Sequence, residues 1–142
     1  MLPAAGARHV AGLGLCRYSG IGPDDAWSAY VDNLPNQPDR ALCFYERPGP
    51  PPDRADPWSY PRLQILARDN PGPARPSRDV LAAIVDSLHR TRNVRWAAGT
   101  DDEVFVTECM TAVSGVVDLG RDAAGRQQHT VTFQLELITA PV

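Results

Sequence analysis

Apolar and polar residues alternate most regularly near the end of the chain. In HTVTFQLELI, residues 129–138, Val131, Phe133, Leu135 and Leu137 fall on one side and Thr130, Thr132, Gln134 and Glu136 on the other. That period predicts a strand with one buried and one solvated or partner-facing side, typical of antiparallel sheets. RLQILAR, 62–68, repeats it, setting Leu63, Ile65 and Ala67 against Arg62, Gln64 and Arg68, with Leu66 breaking the polar side. ALCFYE, 41–46, and EVFVTECMTAV, 103–113, also read as strands, and AWSAYV, 26–31, as a short one packed through Trp27 and Tyr30. The period changes in SRDVLAAIVDSLHRTRN, 77–93, where Leu81, Ile84, Val85 and Leu88 make a helical stripe. Ser77 suits the N-cap and Asp79 the first turn; Arg90 and Arg92 suit the last turn, and Asn93 the left-handed stop. The stripe covers one side only, so this helix should lie on a sheet. Residues 2–15, with Leu2, Val10, Leu13 and Leu15, allow a short helix weakened by Gly6 and Gly12.

Between these elements the chain is rich in turn formers. RPGPPPDRADPWSYP, 47–61, holds six prolines, too many missing N–H groups for a sheet interior, and reads as an extended loop ending in Trp58 and Tyr60. A loop of that length is usually functional or disordered. A second proline-rich loop, DNPGPARP, covers 69–76. DLGRDAAGR, 118–126, separates the last two predicted strands. Its glycines and Asp122 suit a hairpin connection, and it matches neither a calcium loop nor a phosphate cradle. The predicted fold is α+β: a mostly antiparallel sheet of four to five strands, one main helix at about 77–92 on one face, and a weak N-terminal helix.

Composition adds exclusions. A chain of 142 residues favours one domain, here residues 1–142. The formal charge of −3 argues against sequence-independent DNA binding, which needs a basic face. All 14 basic residues are arginine. No apolar run approaches the ~20 residues that cross a bilayer. The N-terminus is too weakly apolar for a signal peptide, so an intracellular protein is expected. Cys16, Cys43 and Cys109 have neither disulfide nor zinc spacing and read as buried thiols. His9, His89 and His129 sit in no nucleophile elbow or metal-ligand spacing, and TDDE, 100–103, reads as the solvated entry to a strand. No catalytic residue, cofactor site or metal site is expected.

Four segments, in order, resemble the small phage proteins grouped as minor capsid or tail-terminator proteins. LGRDAAGR followed by TVTFQLEL is similar to an LGxDxxGR loop leading into a final alternating strand. NLPNQPDRALCFYE resembles an LPxxPDxAVxLxxY segment, YPRLQILAR an xxVQVxxRG strand, and SRDVLAAIVDSLH the central helix. The resemblance covers roughly residues 22–138. The N-terminal helix of that family is longer and more regular than residues 2–15, and YERPGPPPDRADPWSY is richer in proline.

The resemblance implies a virion protein, not an enzyme. It would form a homo-oligomeric ring, commonly hexameric, that stops the tail tube and meets the head–tail connector or stopper. DNA would slide through the lumen unbound, no membrane would be involved, and assembly would take place in the host cytoplasm. Trp58, Tyr60, Arg121, Asp122 and Arg126 are the candidate subunit or partner contacts. Arg121 and Arg126 would pair with carboxylates on a neighbouring subunit or within the hairpin, since guanidinium forks suit such pairing. The rival readings are another neck or tail part (a head–tail stopper or tube subunit), a small enzyme, and an adaptor that offers PGPPP to an SH3-like partner.

Overall fold

The computed structural model describes residues 1–51, 58–72, 75–112 and 115–138. In chain order they form α1 (Leu2–Gly12), β1 (Cys16–Arg17), β2 (Trp27–Val31), β3 (Ala41–Arg47), β4 (Trp58–Ser59) and β5 (Arg62–Pro71). Then follow α2 (Arg75–Leu88), β6 (Thr91–Trp96), β7 (Val104–Thr111), β8 (Val117–Arg121) and β9 (Arg126–Ile138). The fold is α+β, as expected, but the sheet corrects the sequence reading. Among the described residues it has nine strands, ordered β1-β2-β3-β5-β9-β7-β6, with β4 and β8 also paired to β9. It is mixed: β1–β2 and β2–β3 are parallel, the other pairs antiparallel.

The extra strands come from segments too short or too polar for alternation to flag. β1 and β4 have two residues each. β8 lies largely in the stretch expected as a hairpin loop, and all of it is exposed, Val117 and Leu119 included. β6 lies where the sequence predicts the end of the helix and a linker.

β9 is the axis of the sheet. One of its edges takes β5, from Arg62↔Gln134 to Pro71↔Arg126, and then β4 at Ile138. The other edge takes β7 along its C-terminal half and β8 along its N-terminal half. Its alternation therefore reports a central strand with one face in the core.

Both helices pack on that core face. Register aligns Phe44, Ile65 and Val131 across three strands, and Leu63 with Phe133 across two. All are fully buried, as are Leu81, Ile84 and Leu88 of α2. Each such side chain contributes about 1.5–3 kcal/mol through burial. α1 touches β1, β2, β3 and β5 as well as β6 at the far end of the sheet, so the sheet curls around it. His9 stacks on Trp96 of β6 at 5.2 Å, and Arg8 Nε lies 3.2 Å from Asp102 Oδ2. The small residues of α1 permit this: Ala5, Gly6 and Ala7 are buried, and a β-carbon on Gly6 would stand 3.0 Å from Leu63 Cδ2. A glycine that weakens the helix in sequence terms is what lets it seat.

α2 also differs from expectation. It begins before Ser77, with Pro76 in the first turn, where its missing N–H has no intrahelical partner to lose. Ser77 is thus inside the helix rather than its cap, and its hydroxyl lies 2.7 Å from His129 Nδ1. The helix ends at Leu88, ahead of Arg90 and Arg92. Arg90 is left-handed (φ 66°) and its N–H donates to Cys109 O at 2.7 Å, turning the chain into β6. Asn93 is left-handed too (φ 56°), but within β6. The proline-rich loops of 47–61 and 69–76 lie partly outside the described residues (52–57 and 73–74), as does the end of the predicted strand 103–113.

Two glycine substitutions in α1 should have opposite signs. Gly6→Val overpacks against Leu63 and should lower stability by about 1–3 kcal/mol. Gly12→Ala meets nothing within 4 Å and should raise it by up to about 1 kcal/mol. Urea unfolding monitored by tryptophan fluorescence checks both.

Candidate functional site

β2 and β3 run parallel and adjacent, so the chain must cross back between them through residues 32–40 alone. Such a connection usually takes a dozen or more residues and a helix, because a bare crossover leaves carbonyls with no ladder partner. Here arginine supplies the donors. Arg68 projects from β5 on the open face of the sheet, away from the helices, and is 3% exposed. Its Nε donates to Asp39 O at 3.0 Å, and its Nη2 to Pro38 O at 2.6 Å, Pro35 O at 2.8 Å and Asn36 O at 3.5 Å. Gln37–Pro38, in the same stretch, is a cis peptide.

Arg126, the first residue of β9 and likewise buried, grips the crossover from the other side. Its Nη1 donates to Asn36 O at 2.7 Å and to Asp39 Oδ1 at 3.3 Å, and its Nη2 to Asn36 Oδ1 at 3.1 Å. Its Nε donates to Asp122 Oδ2 at 2.7 Å. Burial, then the Arg126 charge, pushes the Arg68 guanidinium below its ordinary value, while Asp122 and Asp39 act against that shift. Charged groups this deep are tolerated because Arg126 is paired with Asp122 and Asp39 and Arg68 is hydrogen-bonded to carbonyls.

Asp122 links clamp and turn. Its carboxylate accepts the backbone N–H of Arg126 and of Ala124, each at 2.9 Å, and its carbonyl accepts Gly125 N–H at 3.0 Å. The Arg126 N–H, then the Arg126 side chain, hold the Asp122 carboxyl below the usual carboxylate range, against some desolvation. Gly125 is left-handed (φ 79°), as the turn requires. Arg121 donates to Gly125 O at 2.8 Å and Gly72 O at 2.7 Å, joining the turn to the end of β5. Beside the clamp, Arg40 pairs with buried Asp69 at 3.0 Å and stacks over Trp27 at 4.9 Å.

The structure therefore brings Arg121, Asp122 and Arg126 together; Arg126 pairs with Asp122 within the hairpin and with Asp39 outside it, whereas Arg121 meets carbonyls. Trp58 and Tyr60 are elsewhere: Trp58 pairs with Ile138, and Tyr60 O accepts from Gln134 Nε2 at 2.9 Å. Arg126 and Ile138 end a strand of 13 residues, roughly 40 Å apart at strand rise. Sequence reasoning missed Arg68, Asn36 and Asp39. Their signal was present, since NLPNQPD, RLQILAR and LGRDAAGR each contribute to the clamp, but nothing in one dimension joins three segments so far apart.

The histidines have structural partners. His129 is buried between Ser77 and Asp118, whose Oδ1 is 3.9 Å from Nε2. The order serine, histidine, carboxylate suggests a nucleophile, but Ser77 is fully buried, and the pair instead pins α2 to β9. His89 Nδ1 accepts Thr111 N–H at 3.0 Å, tying the end of α2 to β7. Burial beside Trp96 lowers the His9 pKa. The three cysteines are free and buried, and burial pushes Cys16 and Cys109 up to about 12. In TDDE, Asp102 takes Arg8, and Glu103 lies 3.6 Å from Arg95. Among the described residues no group of three or more His, Cys, Asp or Glu could hold a metal, and no helix is long and apolar enough to cross a membrane.

A family model described as "Bacteriophage tail terminator protein" matches residues 9–138. The chain belongs to the bacteriophage tail terminator family. The match begins inside α1 and closes on the last residue of β9, so it takes in all the strands and all three clamp segments of this tail terminator. That family is a structural phage protein, and virion localisation follows from it. No curated protein matches the chain.

Arg68→Ala removes the donor to the Pro35, Pro38 and Asp39 carbonyls and should cost about 2–4 kcal/mol. Arg68→Lys should recover less than half, because one ammonium cannot reproduce the fork; denaturant midpoints check both. The lowered Asp122 pKa fixes the sign of a pH effect: its stabilisation is present above the unfolded carboxylate value, about 3.9, and fades as pH falls through the lower folded one. Asp122→Asn should flatten that acid limb in thermal melts between about pH 5 and 2.

Proposed function

We propose that this chain closes into a homo-oligomeric ring, hexameric as is common for its family, at the head-proximal end of the tail tube. There it stops polymerisation and presents a surface to the connector or stopper. DNA passes through the lumen without specific binding, the protein works as a single domain and not as an enzyme, and assembly takes place in the host cytoplasm. The observation that carries this reading is the clamp, taken together with family membership. Two buried arginines hold a crossover whose outer residues, Asn36, Gln37 and Pro38, are exposed. Such an investment yields a rigid polar surface at one end of the sheet. Pre-organisation of that kind lowers the ordering cost of docking.

In this reading Arg126 and Asp122 act by fixing the contact surface rather than by reaching across it. Arg121, exposed on β8, is the member of the trio that meets a neighbouring subunit. Trp58 and Tyr60, at the opposite end of β9, contact a different partner, the tube or the connector. The mild net charge of −3 suits a lumen that must not retain DNA.

Purified protein mixed with tail tubes and imaged by negative stain should cap one tube end, and light scattering should find a discrete ring rather than an extending polymer. Arg126→Ala should reduce capping at least about tenfold at a temperature where it remains folded. Decoration along the whole tube, or no binding, would remove this assignment.

A further inference from the structure

The open face of the sheet carries two like-charged pairs of opposite sign. Arg47 of β3 and Arg62 of β5 stand directly opposite each other. Both are exposed, and their partners are neutral: Arg47 Nε donates to Gln64 Oε1 at 2.8 Å and Arg62 Nε to Gln134 Oε1 at 3.0 Å. Arg47 also stacks over Tyr45 at 4.7 Å. Glu136 of β9 and Glu108 of β7 are likewise directly opposite. None of these four residues makes an ion pair among the described residues. Arg92 stands across β6 from Glu108 without pairing with it, and could neutralise only one of the two carboxylates. Like charges directly opposite destabilise a sheet. This face holds one such pair of each sign.

The strands run β3-β5-β9-β7, and Glu136 lies two residues beyond Gln134, the partner of Arg62, so the centres of the two pairs are about 12 Å apart at the usual strand spacing and rise. Between and beside them Tyr60, Met110 and Gln134 line a groove of about 260 Å³. Met110 is 39% exposed at its edge. Two like-charged pairs of opposite sign on either side of Gln134 are complementary to themselves after a half-turn, the condition for an isologous contact.

We propose that this face docks against the same face of a second copy of this chain, about a two-fold axis near Gln134. Arg47 and Arg62 of each copy meet Glu108 and Glu136 of the other. A two-fold contact closes on itself and a ring contact does not, so this surface is separate from the clamped end assigned above. It describes the free protein or two rings face to face.

Sedimentation velocity over a concentration series should show a monomer–dimer equilibrium. Its apparent Kd should rise at least about tenfold between ~0.05 and ~0.5 M NaCl, because screening weakens exposed ion pairs. Arg47→Glu with Arg62→Glu, and separately Glu108→Arg with Glu136→Arg, should each be monomeric. Mixed, the two variants should form a heterodimer, since one is acidic and the other basic at both ends. If either reversed chain fails to melt cooperatively, Glu108→Gln with Glu136→Gln carries the test and should weaken association at least about threefold. A wild type that stays monomeric, variants that associate like it, or a mixture that does not associate overturns the proposal. Protein that caps tubes but never dimerises through this face would overturn it and leave the tube reading standing.

Discussion

Two guanidinium groups, on Arg68 and Arg126, set what the polar end of this molecule can be. A parallel pair of strands joined by a short bare crossover leaves carbonyls with no ladder partner. Arg68 meets four of those carbonyls from one side, and Arg126 meets the Asn36 carbonyl, its amide and the Asp39 carboxylate from the other. A lysine offers a single compact charge and could not span the same set. With the crossover held, β2 stays beside β3, β1 stays beside β2, and α1 has a floor on which to lie. The clamp is thus upstream of the packing it borders.

The apolar side follows a different logic. β9 gathers neighbours along both edges, and its core-facing residues meet those of β5 in register, so two helices can share one continuous floor. α1 closes the curl by touching strands from both ends of the sheet. Its small residues decide the approach distance, and the stacked His9 and Trp96 mark where the far edge comes round. The two faces of one sheet therefore do separate work: one buries side chains against helices, and the other orders polar groups for the outside.

The open face and the clamped end are also unlike each other. At the clamped end, the Arg126 charge is neutralised inside the chain by Asp122 and Asp39, and the crossover residues that reach the surface, Asn36, Gln37 and Pro38, are neutral. Across the middle of the sheet, like charges stand opposite each other without ion-pair partners among the described residues. Under the two readings proposed above, the clamped end and the open face would serve different neighbours. A serine–histidine–carboxylate string that might have suggested chemistry turns out to be internal, because Ser77 has no route to solvent.

Local rules determined much of this. Alternation located β9, β5, β3 and β7, the helical stripe located α2, and the turn residues Asp122 and Gly125 behaved as their backbone preferences require. Cysteine spacing was enough to read the thiols as buried and free. Alternation could not see β1 and β4, too short to show a period, or β8, exposed throughout. Nor did it reveal that β2 and β3 are parallel, since direction depends on where a crossover finds donors. The helix began before Ser77, whose hydroxyl lies against His129, 52 residues away. Arg126 was legible as a candidate, yet its partners Asn36 and Asp39 lie 90 and 87 residues away, and only the closed sheet brings them within a guanidinium's reach. Periodicity is a property of neighbours along the chain, whereas pairing of buried charge is a property of neighbours in space.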